Sequence, residues 1–325
     1  MSGTRTVRNV HQRVVEASAE TVGALLDRLS APDDPLFPTP VWPAMVLDRP
    51  LGVGADGGHG RVRYRVGAHE PGRSVRFDTT GDGLGTGYHR FDVEPLGPGR
   101  CRISHVLEVT MGARAFALFK LAIEPVHDTM VEEAFDNAER AVLGGDLPHP
   151  PARRPVRALL VNRLLWARPA TVPVPPEAAL LHAAVPAPDY ADAYRMPLPP
   201  GMPRGPLAWR QVLPFPVRGV SDTELMLGKD ASHLDFRASV VIGEDAVTLA
   251  TAVRLHNTRG RLYFAVVRRV HPLLTRLILR RAHRRIAFGA RPAGERNRVP
   301  ATGDQRSAAS ASRTSARSAS DARPA

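Results

Sequence analysis

Cysteine and lysine are nearly missing from this chain of 325 residues. Cys101 is the only cysteine, which excludes an intrachain disulfide framework and any zinc cage built mainly from cysteine. Lys120 and Lys229 are the only lysines among 44 basic residues. Because this arginine bias accompanies abundant alanine and proline, it indicates GC-rich coding rather than selection for a polyanionic partner.

Long apolar runs are also absent. No stretch of about 18 uncharged apolar residues occurs, so the sequence lacks the pattern of a transmembrane helix. Residues 1–17 lack the apolar segment of a signal peptide. We therefore expect a cytoplasmic protein.

The motifs of several large enzyme classes are missing as well. The sequence has no H-E-x-x-H pair, no G-x-S-x-G turn and no P-loop, so it does not support a zinc protease, a serine hydrolase or an NTPase. Gly52, Gly54 and Gly57 have the spacing of a dinucleotide-binding turn, but a strand pattern follows them where that fold needs a helix. We predict no metal ion and no cofactor.

The net charge of +12 is unevenly distributed along the chain. Residues 1–145 carry 16 basic and 19 acidic side chains, residues 146–285 carry 21 and 10, and residues 286–325 carry 7 and 3. No RNP-type aromatic motif, zinc-finger spacing or basic heptad region accompanies the positive charge, so the sequence does not favour a nucleic-acid partner. Docking of an Arg-rich module on a membrane surface or another anionic partner stays open as an alternative.

Residues 1–145 have the pattern of one α+β domain. Residues 5–15 alternate like a strand, and Ser18 can cap a helix over residues 19–29. Further alternating segments, separated by Gly- and Pro-rich turns, lie at residues 61–66, 74–79, 86–93 and 101–111. Over residues 114–143 the apolar spacing becomes helical. This order predicts an antiparallel meander closed by a long helix.

Two segments of this domain carry a resemblance to a known family, YRVGAHEPGRSVRFDTT and YHRFDVEPLGPGRCRISHVLEVTMG. Together with the order of elements, they are similar to the polyketide cyclase/dehydrase branch of the START-like (SRPBCC) superfamily. The resemblance implies a helix-grip fold, in which a curved antiparallel sheet packs on a long C-terminal helix. It also implies an apolar cavity between sheet and helix that holds lipids, polyketides or other apolar molecules.

Residues 146–185 separate this domain from a second one. They are rich in proline and arginine, with a short apolar helical segment near residues 159–166, and indicate a linker. Three strongly alternating segments then predict strands at residues 232–242, 246–256 and 261–270. A second C-terminal helix is predicted over residues 272–288, which gives a second helix-grip domain over residues 186–290.

The second domain also resembles a known family. The resemblance lies within residues 186–288 and rests on three segments, APDYADAYRMPL, ELMLGKDASHLDFRASVVI and TAVRLHNTRGRLYFAVVRRVHPLL. These segments are similar to an uncharacterised bacterial domain, domain of unknown function family 2867, and imply a small helix-grip fold. In related proteins that domain often follows an NAD(P)-binding epimerase-like module. The N-terminal module here is different, which puts any dehydrogenase role in doubt.

Side-chain parity predicts a cavity lining in the first domain. On the predicted strand 101–111 the odd positions form an apolar face with His105 in its middle, and His89 shares a face with Phe91 on the strand before it. The predicted ligand-binding residues are Tyr64, Phe77, His89, Phe91, His105 and Leu107.

His89 and His105 are also the candidate catalytic residues. A hairpin that pairs Val93 with Cys101 places the two histidines opposite each other. In an apolar cavity the pair can hydrogen-bond a carbonyl or a phenol, or act as general acid and base. A structural role, in which backbone groups or water satisfy both rings, remains the alternative.

A polar cluster is predicted on one strand face of the second domain. Its members are His233, Asp235, Arg237, Arg254 and His256. Pairing through the turn at residues 243–245 places Asp235 opposite Arg254 and His233 opposite His256. A cross-strand ion pair is the simplest interpretation, and an anion site is the alternative.

The C-terminal part of the chain combines an amphipathic helix with a low-complexity tail. The helix is predicted to place Leu273, Leu274, Leu277 and Ile278 toward a core and Arg276, Arg280, Arg281, Arg284 and Arg285 on a basic face. Residues 291–325 consist largely of Ser, Ala and Arg and predict a disordered tail.

The leading hypothesis for function is binding or carriage of a small apolar ligand in a helix-grip cavity. An enzyme of cyclase or dehydrase type acting on a polyketide-like substrate is the first alternative, and an Arg-rich docking module is the second. Titratable groups converging in a pocket favour the enzyme, whereas a wholly apolar pocket favours the carrier. The sequence predicts neither the identity of the ligand nor the oligomeric state.

Overall fold

The computed structural model describes residues 3–80 and 85–290, which form two antiparallel sheets. The tail predicted for residues 291–325 lies outside the described residues. The α+β class and the helix-grip arrangement predicted from the sequence are confirmed.

The first sheet has seven strands in the order β1-β7-β6-β5-β4-β3-β2. Its strands are β1 (Thr4–Val15), β2 (Met45–Leu47), β3 (Asp56–His59), β4 (Val62–Glu70), β5 (Ser74–Thr79), β6 (Thr86–Gly97) and β7 (Arg100–Gly112). Neighbouring strands are antiparallel throughout. The alternating segments therefore form a meander, and the first strand of the chain pairs with the last strand of the sheet.

Two helical segments pack against the inward face of this sheet. Helix α1 (Ala19–Leu26) begins after Ser18, whose hydroxyl accepts a hydrogen bond from the backbone N–H of Thr21 at 3.3 Å. The long C-terminal segment consists of α2 (Ala113–Leu118), a π-helical turn (Phe119–Ile123) and α3 (Glu124–Leu143). It ends at Gly144, which adopts the left-handed conformation with φ of 99°.

The core of the first domain lies between the sheet, α1 and α3. Its largest fully buried side chains include Tyr64, Phe77, Phe135 and Leu26. Burial of large aromatic and aliphatic side chains contributes roughly 1.5–3 kcal/mol each, so this contact holds the long helix on the sheet.

Strands β2 and β3 have no alternating pattern in the sequence, and they form because glycine permits a close backbone approach. A Cβ atom on Gly57 would lie 2.0 Å from the carbonyl oxygen of Val46 on the paired strand. The D-G-G-H segment that forms β3 therefore offers backbone hydrogen bonds but few apolar side chains.

The β6–β7 hairpin differs from the predicted register by two residues. Val93 lies opposite Ile103, and Phe91 lies opposite His105. The two strands extend further toward the turn than the sequence indicates, and Pro95 pairs with Cys101 there. A shift of two residues preserves the face on which each side chain lies, so only the opposing partners change.

The second sheet has six strands in the order β10-β11-β12-β13-β9-β8. Its strands are β8 (Ala170–Val172), β9 (Tyr190–Pro197), β10 (Val217–Val220), β11 (Glu224–Ala231), β12 (Leu234–Ile242) and β13 (Ala246–Leu255). The predicted pairing of Asp235 with Arg254 and of Phe236 with Val253 is observed between β12 and β13.

The predicted third strand, residues 261–270, is wrong because these residues belong to helix α6 (Thr258–Gly289). Asn257 caps this helix, and its side-chain oxygen accepts a hydrogen bond from the backbone N–H of Gly260 at 3.0 Å. Pro272, where the predicted helix begins, lies inside α6. The cap at Asn257 therefore determines the start of the helix, although β-branched residues follow it.

Helix α6 also faces its core differently from the prediction. Leu273, Leu274 and Leu277 are exposed, with 70%, 49% and 57% of their surface accessible, whereas Leu279 is fully buried against the second sheet. The residues that α6 buries are Gly260, Phe264, Thr275, Leu279, His283 and Ala287. Their spacings of four and eleven residues place one narrow stripe on the core, and Leu273, Leu274 and Leu277 lie outside it.

Residues 146–185, which the sequence assigns to a linker, contain regular structure. They include α4 (Val156–Leu165), the edge strand β8 and α5 (Ala179–Ala184). Asn162 of α4 donates a hydrogen bond to the backbone oxygen of Val41 at 2.9 Å and accepts one from Arg284 of α6 at 3.1 Å. Helix α4 therefore joins the two halves of the described chain.

Within the described part of the chain, no helix is long and apolar enough to cross a membrane.

Candidate functional site

The β6–β7 hairpin places His89 and His105 on the inward face of the first sheet. Only 8% of His89 and 2% of His105 is exposed. The Nε2 atom of His105 lies 3.5 Å from the Nδ1 atom of His89. The two rings therefore meet diagonally, although the strand register does not place them directly opposite.

Three predicted aromatic residues surround the histidine pair. The ring of Tyr64 contacts His89 edge-on at a centroid distance of 4.8 Å, and Phe77 stacks on the same imidazole at 4.8 Å. Phe91 contacts His105 edge-on at 4.5 Å. The structure thus brings five of the six predicted lining residues together.

Leu107, the sixth predicted residue, lies in a different apolar cluster. It lies opposite His89 in the strand register, is 7% exposed and packs with Val7, Val109 and Phe119. Leu107 shares the inward face of β7 but stands beside the π-helical turn rather than with the core around Phe77.

Helix α3 adds a third imidazole that sequence reasoning missed. The ring of His127 lies 5.0 Å from that of His105 between centroids. A helix residue has no parity relation to the strands, so no pattern in the sequence indicates this contact. Tyr64, His89, His105 and His127 form one contiguous group, which we call the imidazole–phenol cluster.

Each member of the imidazole–phenol cluster has a buried polar atom without a hydrogen-bond partner among the described residues. These atoms are Tyr64 Oη, His89 Nε2, His105 Nδ1 and His127 Nε2. Buried polar groups in folded proteins are nearly always paired, and an unpaired one costs about 1–3 kcal/mol. Four such atoms in one contiguous group therefore call for a ligand or water.

Burial keeps the inner imidazoles neutral near pH 7. Desolvation lowers the pKa of His89 and of His105 well below its ordinary value, and the neighbouring imidazoles lower it further. Burial raises the pKa of Tyr64 above its ordinary value, so the phenol keeps its proton. A neutral imidazole has one donor and one acceptor nitrogen, and the cluster therefore offers both kinds of group.

An ionic network joins β1 to α3 on the other side of His127. The guanidinium of Arg13 donates hydrogen bonds to Glu132 at 2.6 Å, Asp136 at 2.5 Å and Glu139 at 2.9 Å. His11 lies on the same strand, and its hydrogen bonds with Asp128 and Glu132 raise its pKa to about 9. Charged groups thus hold α3 on this edge of the sheet.

A cleft of about 400 Å³ opens beside this network. Its lining residues are Asp128, Thr129, Glu132, Pro150, Pro151, Ala152, Arg153 and Pro155. The cleft lies between α3 and the proline-rich segment that follows it. Carboxylates of the ionic network therefore reach a space large enough for a small molecule.

The polar cluster of the second domain is assembled in a different way from the prediction. Asp235 forms its ion pair with His256, with Nε2 and Oδ2 2.9 Å apart, rather than with Arg254 across the strand. Arg237 pairs instead with Asp230 at 2.6 Å. His233 contacts the ring of Tyr263 edge-on at 5.4 Å. Asp235, Arg237 and His256 therefore pair with protein groups.

Part of the second domain is similar to a known protein family. Residues 202–277 match a family of proteins of unknown function, DUF2867. This confirms the resemblance predicted over residues 186–288. No curated protein matches the chain.

Solved structures similar to part of this chain include three proteins. Truncated norcoclaurine synthase from Thalictrum flavum has 17% identity and a TM-score of 0.35, covering 45% of this chain and 99% of its own. The Zhui aromatase/cyclase from a Streptomyces species has 17% identity and a TM-score of 0.33, with coverage of 44% and 100%. CalU16 from Micromonospora echinospora has 12% identity and a TM-score of 0.32, with coverage of 50% and 92%.

Proposed function

We propose that the first domain binds a small, largely apolar cytoplasmic ligand whose polar group contacts the imidazole–phenol cluster. The four unpaired buried atoms of Tyr64, His89, His105 and His127 carry this proposal. A ligand that supplies their missing hydrogen bonds offsets a cost of about 1–3 kcal/mol for each atom. Binding is therefore favoured by groups that the protein alone leaves unsatisfied.

The chemistry of the cluster favours a carbonyl or phenol on the ligand. Neutral imidazoles donate through one nitrogen and accept through the other, so they complement both an oxygen acceptor and a hydroxyl donor. The rings of Phe77 and Phe91 lie against the two histidines and favour an apolar or aromatic ligand body. A polyketide-like molecule combines both features.

The test is native mass spectrometry of the full chain purified from its own host. The wild-type protein is expected to retain a small molecule that His89→Leu and His105→Leu lose, because leucine fills the volume without the polar atoms. His69→Gln is the matched control, since His69 faces Asp27 at 3.2 Å and lies outside the cluster. Equal retention by the wild type and by the variant that combines His89→Leu with His105→Leu would overturn the proposal.

A cyclase or dehydrase activity is a second candidate function for the same cluster. The observation in its favour is the 3.5 Å contact between His105 Nε2 and His89 Nδ1, which lets one ring act as base while the other donates a proton. If a dehydration occurs, the molecule retained by the wild type will be lighter by one water than the molecule retained by His105→Gln. Identical masses would leave binding as the function.

Docking on an anionic membrane surface is a candidate function for helix α6. Seven large apolar side chains of this helix are exposed, Leu262, Tyr263, Val266, Val270, Leu273, Leu274 and Leu277. At 100° per residue they fall within a sector of about 120°, and Arg269 and Arg276 border one edge of it. An apolar stripe with arginines along one edge complements an anionic lipid surface.

Vesicle sedimentation tests this second surface. The full chain is expected to sediment with phosphatidylglycerol vesicles and not with phosphatidylcholine vesicles. The variant Leu273→Ser with Leu277→Ser should stay in the supernatant, because both side chains are exposed and their loss removes apolar contact with the lipid. Equal sedimentation of variant and wild type would contradict a role for this stripe.

A further inference from the structure

Strand β1 and helix α3 bring together three potential metal ligands that are far apart in the sequence. His11 lies on β1, and His127 and Asp128 are adjacent on α3. One ligand atom of each lies within 4.8 Å of the others. The Asp128 Oδ1 atom is 3.2 Å from His11 Nε2 and 3.3 Å from His127 Nδ1.

We propose that His11, His127 and Asp128 form a binding site for a divalent transition-metal ion, with zinc as the reference ion. Two ligand atoms that each lie 2.0–2.1 Å from a tetrahedral zinc are about 3.3–3.4 Å apart. The two measured separations from Asp128 Oδ1 fall close to this value. The ligand atoms of the two histidines also lie within 4.8 Å of each other.

The donor set also determines the class of ion. Two imidazoles and one carboxylate favour zinc and other first-row transition metals, whereas magnesium and calcium prefer oxygen ligands. The carboxylates of Asp128 and Glu132 both pair with His11, and Arg13 also pairs with Glu132. A divalent cation would therefore bind His11 Nε2 in place of the proton that this nitrogen shares with Asp128.

Neighbouring side chains orient two of the three ligands. The Nδ1 atom of His11 lies 2.6 Å from Glu132 Oε1, the carboxylate–histidine contact that fixes the ring and its tautomer in metal sites. The amide of Asn9 donates a hydrogen bond to Asp128 Oδ1 at 2.9 Å and holds this oxygen beside the two histidines. The ligands are therefore held by partners that do not themselves bind the ion.

A second group of metal-type side chains on α3 provides a contrast. Asp136, Glu139 and His149 also place ligand atoms within 4.8 Å of one another. The guanidinium of Arg13 lies among them, 2.5 Å from Asp136 and 2.9 Å from Glu139. A guanidinium keeps its proton and cannot become a ligand, whereas an imidazolium such as His11 can lose its proton to a metal ion. We therefore infer that the second group does not bind a metal.

The first group reaches the cleft of about 400 Å³, which Asp128 and Glu132 line together with Arg153. Three protein ligands leave a fourth position for water or another small ligand, whereas structural zinc sites are closed by four protein ligands. The site is therefore suited to an exchangeable ion with an accessible position.

Isothermal titration of the metal-free full chain with zinc chloride tests the proposal. The wild type is expected to bind one saturable equivalent of zinc. His127→Gln and Asp128→Asn should each weaken binding at least tenfold, because each removes a ligand while keeping a similar shape. His149→Gln, the matched control from the second group, should bind zinc like the wild type.

Cobalt absorption of the wild-type protein provides a readout that needs no variant. Replacement of zinc by cobalt should give the intense visible bands of a four-coordinate site, and zinc should displace them. Absence of a saturable equivalent, or unchanged binding in both Asp128→Asn and His127→Gln, would overturn the proposal. If His127→Gln fails to fold, the near-isosteric Asp128→Asn variant decides the result.

Discussion

Arg13 shows how a single half-buried cation stabilises the contact between β1 and α3. Its guanidinium bonds to Asp136 and Glu139, whose side chains are only 2% and 5% exposed. Removing one partner of a buried ion pair leaves uncompensated charge, which costs about 3–5 kcal/mol. We expect Arg13→Met to lower the free energy of unfolding by about this amount in urea titration.

Arg8 on the same strand is the matched control. Its ion pair with Glu108 spans 3.8 Å, and both side chains are largely exposed. Solvated pairs of this kind contribute about 0–1 kcal/mol, so Arg8→Met should change stability by no more than that. Equal losses in the two variants would show that the Arg13 network is not energetically distinct.

His89 makes the stability of the first domain dependent on pH. Burial lowers its pKa in the folded state below the value of about 6.5 that it has when unfolded, so unfolding takes up a proton under acidic conditions. This contribution to stability is present above pH 6.5 and is lost as pH falls toward the folded-state pKa. The slope is at most about 1.4 kcal/mol per pH unit for each such histidine.

We therefore expect His89→Gln to lose less stability than the wild type between pH 7 and pH 5. Denaturant titrations at a series of pH values measure this difference directly. Parallel curves for the two proteins would show that His89 is already protonated, or accessible to water, in the folded state.

The sequence could predict some residues of the site and not others, for a geometric reason. His89 and His105 are predictable because alternation places every second side chain of a strand on one face. His11 and His127 come from the first strand and the long helix, and their position depends on how these elements pack. His11, His127 and Asp128 likewise come together only through packing, so they form no sequence motif. For this reason we predicted no metal from the sequence.

At the scale of elements, helix α1 depends on a glycine that alanine cannot replace. A Cβ atom on Gly23 would lie 2.1 Å from the backbone oxygen of Gly72. In an open helix, a change from glycine to alanine stabilises by up to about 1 kcal/mol, but here the added methyl would push α1 from the sheet.

We predict that Gly23→Ala lowers the melting temperature. Gly289→Ala near the end of α6 is the control and should leave it unchanged or raise it, because no atom lies within 4 Å of a Cβ there. Thermal unfolding followed by circular dichroism measures both. A stabilised Gly23→Ala protein would contradict the close packing of α1.

The two faces of helix α6 should respond differently to truncation. Leu279 is fully buried, and removing a buried leucine side chain costs about 2–5 kcal/mol. Leu277 is 57% exposed, so its truncation should cost less than about 0.5 kcal/mol. Urea titration of Leu279→Ala and Leu277→Ala compares the two positions. A larger loss of stability for Leu277→Ala than for Leu279→Ala would show that Leu277 faces the core, as the sequence predicted.

The wrong prediction for residues 261–270 has a physical cause. The segment alternates and contains β-branched and aromatic residues, both of which are typical of strands. Helix α6 forms nevertheless, because Asn257 caps it and Phe264 packs into the second domain. Tertiary contacts outweighed the local preference of the sequence.

At the scale of the whole molecule, the α+β class and the two antiparallel sheets followed from periodicity and turn residues. The boundaries at residues 145 and 185 stay predictions. Helix α4 and strand β8 arise within the proline-rich segment because they pack on neighbouring elements, through contacts such as Asn162 with Val41. The composition of residues 146–185 therefore did not indicate that this segment packs against both halves of the chain.

The most direct test of ligand binding is a crystal structure of the protein isolated from its own host. We predict a small molecule whose carbonyl or hydroxyl oxygen lies within about 3.2 Å of His89 Nε2 or His105 Nδ1. Its apolar body should contact Phe77 or Phe91. If both nitrogens bind only water and no other molecule lies among the aromatic rings, the proposed ligand site is wrong.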